Sequence, residues 1–155
     1  MLTTRQATQA DSELIAAHRC AMFAEMGRDS NALEEMRRNF VPWVEGAIGG
    51  GKYVGWIVED GDRVAASAGF LELEWPPHAL DPSCERRGYL LNFWVEPDYR
   101  RRGLARGLVQ EALGESRRRG IRVTALHASD TGRLVYEQMG FRASNEMHYV
   151  ETTAG

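Results

Sequence analysis

An apolar stretch followed by several arginines is the part of the sequence best suited to bind a charged ligand. Residues 90–107 are LLNFWVEPDYRRRGLARG, in which a turn signal and four arginines around Gly103 precede an amphipathic helix pattern. A strand, a glycine turn and a helix in this order point unpaired backbone N–H groups and the positive end of the helix dipole at one place. Arginine side chains add forked donors for phosphate oxygens. The stretch predicts a phosphate-binding site, with solvated arginines at a helix start as the alternative.

Other candidate residues could transfer protons. Glu72 and Glu74 alternate with apolar residues, so a strand here would place both carboxylates on one face. They could accept a proton through water, or they could be solvent-facing charges on an antiparallel strand. His127 lies at a predicted strand end, where a role as a base and a structural role both remain open.

Periodicity and turn signals predict the elements that must position these residues. Four helices are predicted. The first begins near Thr8 and ends near Gly27, and the second begins at a Ser30 or Asn31 cap and ends before Gly49. The third runs from Leu104 to Gly120, and the fourth covers Gly132–Met139 and is capped by Ser129 or Asp130. The predicted strands are Leu2–Ala7, Tyr53–Val58, Val64–Leu73, Gly88–Val95, Ile121–His127, Phe141–Arg142 and Met147–Glu151. Hairpins followed by strand–helix–strand order predict an α/β fold with a mixed sheet and helices on both sides.

A second glycine-rich stretch resembles a nucleotide-binding loop only in part. Residues 46–52, GAIGGGK, match the G-x-x-x-x-G-K pattern. That loop requires a preceding strand, a following helix and a hydroxyl next to the lysine. Here a helix is predicted before the stretch, a strand is predicted after it, and Tyr53 replaces Ser or Thr. We therefore expect no nucleotide-binding loop at this position.

Composition limits the classes of protein to consider. The chain has 155 residues, 43% hydrophobic and 26% charged, and a net charge of −3, which predict one globular domain over 1–155 and argue against a nucleic-acid binder. Cys20 and Cys84 lack CxxC spacing, so neither a disulfide framework nor a metal site is expected. No stretch resembles a signal peptide or a membrane span, and we expect a cytoplasmic protein with no membrane partner.

Three motifs resemble one enzyme family in order and spacing. Arg100-x-x-Gly103-x-Ala105 resembles the (Gln/Arg)-x-x-Gly-x-(Gly/Ala) pyrophosphate signature of the GCN5-related N-acetyltransferases (GNAT), and the likeness extends from Arg5-Gln6-Ala7-Thr8 to residues 136–141, YEQMGF. The resemblance implies the acyl-CoA N-acyltransferase fold. That fold has a twisted, mostly antiparallel central sheet, splayed fourth and fifth strands, and helices on both faces.

The resemblance also implies roles for individual residues. The backbone of Phe93, Trp94 and Val95 would pair with the pantetheine arm of acetyl-CoA, and a backbone N–H near Val95 would face the thioester oxygen. The residues implied to wrap the pyrophosphate are Arg100, Arg101, Arg102, Gly103, Leu104, Ala105 and Arg106. Ser129 and Arg133 match positions that contact CoA or cap a helix.

The family resemblance implies a proton donor but no proton acceptor. Tyr136 matches the tyrosine that protonates the CoA thiolate in many members, and a phenol with a pKa of about 10 suits that task. The alternative for Tyr136 is a core aromatic beside Met139. No carboxylate matches the family's base, because Tyr89 and Asn92 stand near that position. Glu72 is our candidate for the base.

The implied activity is transfer of the acetyl group of acetyl-CoA to a primary amine of a small molecule or peptide, by direct attack in a ternary complex and without a metal. The alternative is an inactive CoA-binding or regulatory module of the same fold. The loop over residues 76–83 and four apolar side chains are candidates to contact the acceptor: Phe23, Met26, Phe40 and Trp43. An acidic lining from Glu72, Glu74 and Glu96 would suit a cationic amine. The family resemblance also allows a homodimer.

Overall fold

Five strands form one mixed sheet in the computed structural model, which describes residues 1–152. The strands are β1 (Leu2–Gln6), β2 (Tyr53–Asp60), β3 (Arg63–Glu74), β4 (Arg86–Val95) and β5 (Thr124–Leu126). They lie in the order β1-β2-β3-β4-β5; the first three pairings are antiparallel and β4–β5 is parallel. The predicted mixed sheet is confirmed.

Four helices accompany the sheet: α1 (Ser12–Glu25), α2 (Ser30–Gly49), α3 (Leu104–Arg118) and α4 (Arg133–Gln138). The predicted capping box is present, since Asp11 accepts a hydrogen bond from the Thr8 backbone N–H at 2.7 Å. α2 is capped by Asp29, which accepts from the Ala32 N–H at 3.0 Å, and not by Ser30 or Asn31. Asp29 has extended backbone, as a capping residue requires, whereas Ser30 is already helical.

The sheet is covered on both faces, which gives two hydrophobic cores. α1 and α2 pack Ile15 and Val44 against Ile57 on one face. α3 packs Val109 against Phe70 on the other face. The alternation along each strand explains this division, because neighbouring residues point to opposite faces. The two cores fix α1 and α3 on opposite sides of β4, whose far end carries the candidate site.

The stretch 46–52 lies at the end of α2, and β2 follows it at Tyr53. The predicted helix before the glycines and the predicted strand after them are confirmed, which is the reverse of the order that a nucleotide-binding loop requires. No helix among residues 1–152 is long and apolar enough to cross a membrane.

Three predicted strand assignments require correction. β5 covers 124–126 instead of 121–127, because its ladder with β4 ends where the two strands separate. The predicted strands 141–142 and 147–151 are wrong: within residues 1–152 neither is in a sheet. Met147 and Tyr149 are 92% and 83% exposed. Apolar residues alone do not make a strand when no neighbouring strand accepts the ladder hydrogen bonds.

Candidate active site

A cleft opens between β4 and β5 at the edge of the sheet. The parallel ladder pairs Gly88 with Thr124 and ends at Leu90 with Leu126. β4 continues to Val95, but on this side no strand within residues 1–152 pairs with 91–95. Peptide groups of this stretch that point into the cleft are free to pair with an extended ligand. The location suits the role predicted for the backbone of residues 93–95.

A β-bulge lies at the start of the cleft. Leu91 pairs with Gly69 and Trp94 pairs with Ser67, so two residues of β4 lie opposite one residue of β3. Asn92, one of those two, has a φ of 59°, a conformation that asparagine tolerates better than most residues. The bulge bends β4 away from β5 and explains why the strands separate here.

A buried network of polar side chains holds this bulge. Asn92 is 1% exposed; it accepts a hydrogen bond from Arg19 Nη1 at 2.8 Å and donates one to the Tyr53 hydroxyl at 3.1 Å. Burial raises the pKa of Tyr53 to about 12, so the hydroxyl stays protonated at neutral pH. The network joins α1, β2 and β4, and it fixes the backbone that faces the cleft.

The turn before α3 presents a run of free backbone donors. Within residues 1–152, the six N–H groups of 101–106 have no hydrogen-bond acceptor, and the first backbone bond of α3 runs from the Gly107 N–H to the Gly103 carbonyl at 3.1 Å. Gly103 has a φ of 80°, a left-handed conformation that glycine adopts without steric cost. Such a turn at a helix N-terminus is suited to bind phosphate oxygens, as the sequence predicts.

Arg100 faces away from these donors. Its Nη2 lies 2.8 Å from Glu25 Oε2, its Nε donates to the Val95 carbonyl at 3.0 Å, and its guanidinium stacks on Trp94. These contacts connect α1 to the end of β4. Arg100 therefore has structural contacts within the protein, and its predicted contact with the cofactor stays a prediction.

The other three arginines of the cluster have fewer hydrogen-bond partners than Arg100. Arg102 donates to the Asp98 carbonyl at 3.0 Å, and Arg106 donates to Gln138 Oε1 at 3.1 Å, which links α3 to α4. The exposed Arg101 has no side-chain hydrogen bond or ion pair in the described part of the chain. Arg101 is thus the side chain of this cluster with most freedom to reach an anion.

Tyr136 lies beside the cleft on α4. Its ring packs edge-to-face against Phe93 and Phe141, with centroids 6.3 Å and 5.8 Å away. Burial raises the pKa of Tyr136 to about 12. Its hydroxyl has no hydrogen-bond partner among residues 1–152. The phenol therefore keeps its proton at neutral pH next to the backbone predicted to hold the thioester.

Ser129 and Arg133 lie at the start of α4. Ser129 Oγ accepts a hydrogen bond from the Gly132 N–H at 3.1 Å, so the capping alternative for this residue fits the geometry. Arg133 is exposed at the first turn. Contact of either residue with the cofactor stays a prediction.

Glu72 lies far from Tyr136 in the sheet. Glu72 pairs with Gly88 across the sheet, whereas Tyr136 contacts Phe93, about 17 Å further along β4 at 3.3 Å per residue. The Glu72 carboxylate lies 2.8 Å from Arg119 Nη1 and 3.3 Å from Arg86 Nη1. Partial burial alone would raise its pKa, but the hydrogen bond from Arg119 and the two positive charges outweigh it and lower the pKa. A carboxylate held in this way is a weak base.

A cavity of about 340 Å³ opens on the opposite face of the sheet, under α1 and α2. Its lining includes Arg19, Phe40, Trp43, Leu71, Arg87 and Tyr89. Two of the four predicted acceptor contacts, Phe40 and Trp43, therefore line a cavity, whereas Phe23, Met26 and the loop 76–83 do not line it.

The predicted acidic lining is not found. Glu72 lies on the α3 face of β3, and Glu74, two residues further, points the same way, whereas the cavity lies under α1 and α2. Glu96 is held near the end of β4 by the Trp94 indole N–H at 3.1 Å and by His18 at 3.3 Å. Among residues 1–152, no carboxylate lines the cavity.

Tyr89 and His127 lie between the cavity and the cleft. The Tyr89 hydroxyl is hydrogen-bonded to His127 Nδ1, and the ring centroids are 5.5 Å apart. Tyr89 lines the cavity, and His127 directly follows the ladder of β5, where the two strands separate. The sequence left the role of His127 open and gave Tyr89 none. No local pattern could have predicted this contact, because 38 positions separate the two residues.

Comparisons with known proteins identify solved structures with the same fold. A crystal structure of a GCN5-related N-acetyltransferase from Ralstonia eutropha JMP134 is 37% identical, with a TM-score of 0.94 and coverage of 97% of this chain and 99% of that chain. A predicted acetyltransferase from Clostridium acetobutylicum, solved with acetyl-CoA, is 26% identical, with a TM-score of 0.90 and coverage of 97% and 96%.

A curated relative and a family model extend the comparison to sequence. The [ribosomal protein bS18]-alanine N-acetyltransferase of Escherichia coli strain K12 is 28% identical over 128 residues, which cover 78% of this chain and 79% of that protein. The model of the Acetyltransferase (GNAT) family matches residues 15–141, most of the chain. The predicted family, fold, enzyme class and acetyl-CoA cosubstrate are thereby confirmed: the chain belongs to the GNAT family of acetyltransferases.

Proposed function

We propose that this enzyme transfers the acetyl group of acetyl-CoA to a primary amine of a small molecule or peptide, with both substrates bound together. One observation carries the proposal: the free N–H groups of 101–106, the unpaired part of β4 and the Tyr136 ring border one cleft. A separate cavity is lined by Tyr89, whose hydroxyl is hydrogen-bonded to His127 where β4 and β5 separate. The E. coli relative acts, by its name, on an alanine of a ribosomal protein, which places α-amino groups among the acceptors to test.

The residues around the cleft fit the donor. The N–H groups of 101–106 and the exposed Arg101 would bind the pyrophosphate, and the free backbone of Phe93, Trp94 and Val95 would pair with the pantetheine amides. Acetyl-CoA supplies an acyl group that is activated as a thioester. A β4 N–H near Val95 that points into the cleft would stabilise negative charge developing on the thioester oxygen.

Two protons must move during the transfer. The amine nitrogen forms a bond to the carbonyl carbon and loses a proton, while the C–S bond breaks and the sulfur gains a proton. Tyr136 would donate to the sulfur, because its raised pKa keeps the phenol protonated. His127 would accept the amine proton at Nε2, because Nδ1 is engaged with Tyr89. His127 replaces Glu72 as our candidate base, since Glu72 is tied to Arg119 and Arg86.

Thermal melts with acetyl-CoA, free CoA and ATP test the donor site. A ligand at 100 times its Kd adds about 2.7 kcal/mol to the free energy of unfolding. We expect both CoA species to stabilise the protein and ATP not to do so. Absence of a shift with either CoA species, over a wide range of concentration, would contradict the proposal.

Tyr136→Phe tests transfer separately from binding. Loss of a general acid typically lowers the rate by a factor of about 100 or more, so kcat for amine acetylation should fall that far while the Kd of acetyl-CoA stays unchanged. Tyr149→Phe is the matched control, because Tyr149 is 83% exposed in the C-terminal segment. An unchanged kcat in Tyr136→Phe would remove the acid role. A wild-type protein that binds CoA but acetylates no amine would favour the inactive module.

A further inference from the structure

We infer that the acceptor carries a carboxylate and an apolar body in addition to its amine, and that the positive charges of Arg87 and Arg19 in the cavity attract the carboxylate. This inference rests on the proposed transfer to an amine and names the class of acceptor. It reverses the charge expected from the sequence, since the cavity is lined by two arginines and, within residues 1–152, by no carboxylate.

Both arginines have a buried donor without an acceptor. The Nε atoms of Arg19 and Arg87 are buried and make no hydrogen bond in the described part of the chain. A buried donor left unpaired costs about 1–3 kcal/mol. The side chain of Arg87 is only 13% exposed. Both side chains line the cavity, so an anionic ligand there would lie beside two guanidinium groups that are incompletely hydrogen-bonded.

Arg19 is a positive charge with neutral surroundings. Its Nη1 donates to Asn92 Oδ1, and its guanidinium lies 5.0 Å from the ring centroids of Phe23 and Phe40. No ion pair neutralises it within residues 1–152. Because Arg19 also holds the bulge at Asn92, its charge lies at the end of the cavity nearest the cleft. A carboxylate attracted there would draw its own amine toward the reacting carbon.

Arg87 already contacts one carboxylate, and this contact shows that the position accepts an anion. Arg87 Nη2 lies 3.4 Å from Glu146 Oε2, and the Glu146 side chain is 50% exposed. An ion pair of this length with a half-exposed carboxylate contributes little free energy, about 0–1 kcal/mol. Trp75 covers one face of the guanidinium, with its ring centroid 3.8 Å from the guanidinium carbon. A ligand carboxylate could therefore replace Glu146 without unfolding any element.

The remaining walls of the cavity are apolar. Trp43 is 45% exposed although it packs against Phe40 and Tyr53, and Leu71 and Leu91 form the floor. A volume of about 340 Å³ suits a molecule of the size of an amino acid or a dipeptide. A polycationic acceptor would face two like charges in a partly buried site, which is unfavourable.

Matched pairs of acceptors test the inference. We would measure kcat/KM for phenylalanine against phenylalaninamide and for leucine against leucinamide, which differ only in the carboxylate. We expect at least a tenfold preference for the acids. Arg87→Gln should lower kcat/KM for the acids at least tenfold, through KM, and leave the amides unchanged. Glu146→Gln should lower KM for the acids, because it removes the competing carboxylate.

Arg86→Gln is the matched control. Arg86 neighbours Arg87 on β4 but points to the other face, where it pairs with Glu72. This variant should leave the acid-to-amide preference unchanged. Amides that are acetylated as well as or better than the acids, or an Arg87→Gln effect that is equal for both, would overturn the inference while the proposed transfer to amines stands.

A binding measurement separates this inference from the proposed function. Calorimetric titration of phenylalanine into the protein with CoA needs no turnover. Binding that Arg87→Gln abolishes and Arg86→Gln preserves would support the carboxylate site even if no amine were acetylated. If phenylalanine and leucine neither bound nor reacted while phenylalaninamide or spermidine were acetylated, the inference would fail and the transferase would remain. Absence of binding by every one of these compounds would also overturn it.

Discussion

The two sides of the candidate active site are formed by different parts of the chain, one by backbone groups and the other by side chains. On the proposed donor side, backbone N–H groups from one continuous stretch, 101–106, and the edge of β4 form the candidate binding surface. On the acceptor side, the lining consists of side chains from α1, α2, β3 and β4. A backbone site depends on conformation, whereas a side-chain site depends on residue type. Substitutions should therefore act on the two sides by different routes.

The largest effect is expected where backbone conformation and charge act together. Gly103→Asp places a side chain at a φ of 80° and a negative charge beside the six free N–H groups. We expect acetyl-CoA affinity to fall at least 100-fold, because the aspartate both strains the turn and competes for the anion site. Isothermal titration of acetyl-CoA measures this loss.

Gly120→Asp is the control for strain alone. Gly120 has a φ of 71° and, like Gly103, has open space around the position of a Cβ. Backbone strain should lower the free energy of unfolding of both variants by about 1–2 kcal/mol. The loss should be somewhat larger in Gly120→Asp, because a negative charge is unfavourable after the C-terminus of α3 and favourable at its N-terminus. Only Gly103→Asp should lose affinity for acetyl-CoA. Equal affinities in the two variants would break the comparison, since the turn before α3 would then not bind the donor.

A smaller effect is expected where the cavity meets the cleft. His127→Gln removes the candidate base and should lower kcat at least tenfold. Loss of a general base typically costs about 100–10,000-fold, but the loss should be near or below the lower end of that range here, because water can replace an exposed base. The Kd of acetyl-CoA should not change. Tyr89→Phe should have a weaker effect, since it removes only the hydroxyl that orients the ring. His148→Gln in the C-terminal segment is the control, and an equal loss of kcat in that variant would refute a specific role for His127.

The smallest effect on rate is expected at Glu72. Glu72→Gln should leave kcat within about twofold and lower the free energy of unfolding by about 0.5–1 kcal/mol, because it breaks ion pairs with Arg119 and Arg86. Because the pKa of Glu72 in the folded protein is lowered from 4.5, the stabilisation by its ion pairs is fully present above pH 4.5. It is lost as the pH falls through the folded pKa. Chemical denaturation of both proteins between pH 3 and pH 7 checks this.

A large loss of kcat in Glu72→Gln with unchanged stability would return Glu72 to the role of base. It would also show that the two faces of β3 communicate, which the register of β3 with β4 does not suggest.

Local features of the chain were predictable from sequence. The order of strands and helices, the turn around Gly103 and the capping box at Thr8 are encoded by neighbouring residues. Each has a short-range cause: a φ that favours glycine, a side chain that reaches a nearby N–H, or an apolar period. Family resemblance added the predicted role of Tyr136 as a proton donor, which no periodicity could supply.

Contacts between distant residues were not predictable in this way. The partners of Glu72, the contact of Tyr89 with His127 and the pair of arginines in the cavity join positions far apart in the chain. The failed strands at 141–142 and 147–151 have the same origin, because a strand exists only where another strand pairs with it.

The sequence by itself determined the donor side of this protein, because a helix N-terminus with free N–H groups is made by consecutive residues. Only the tertiary structure decided the acceptor side. The register of β4 with β3 sets which β4 side chains face the cavity, and the packing of α1 and α2 brings Arg19 over them. Strand register and helix packing depend on contacts across the whole chain, and a shift of one residue would have placed Arg86, not Arg87, on the cavity face.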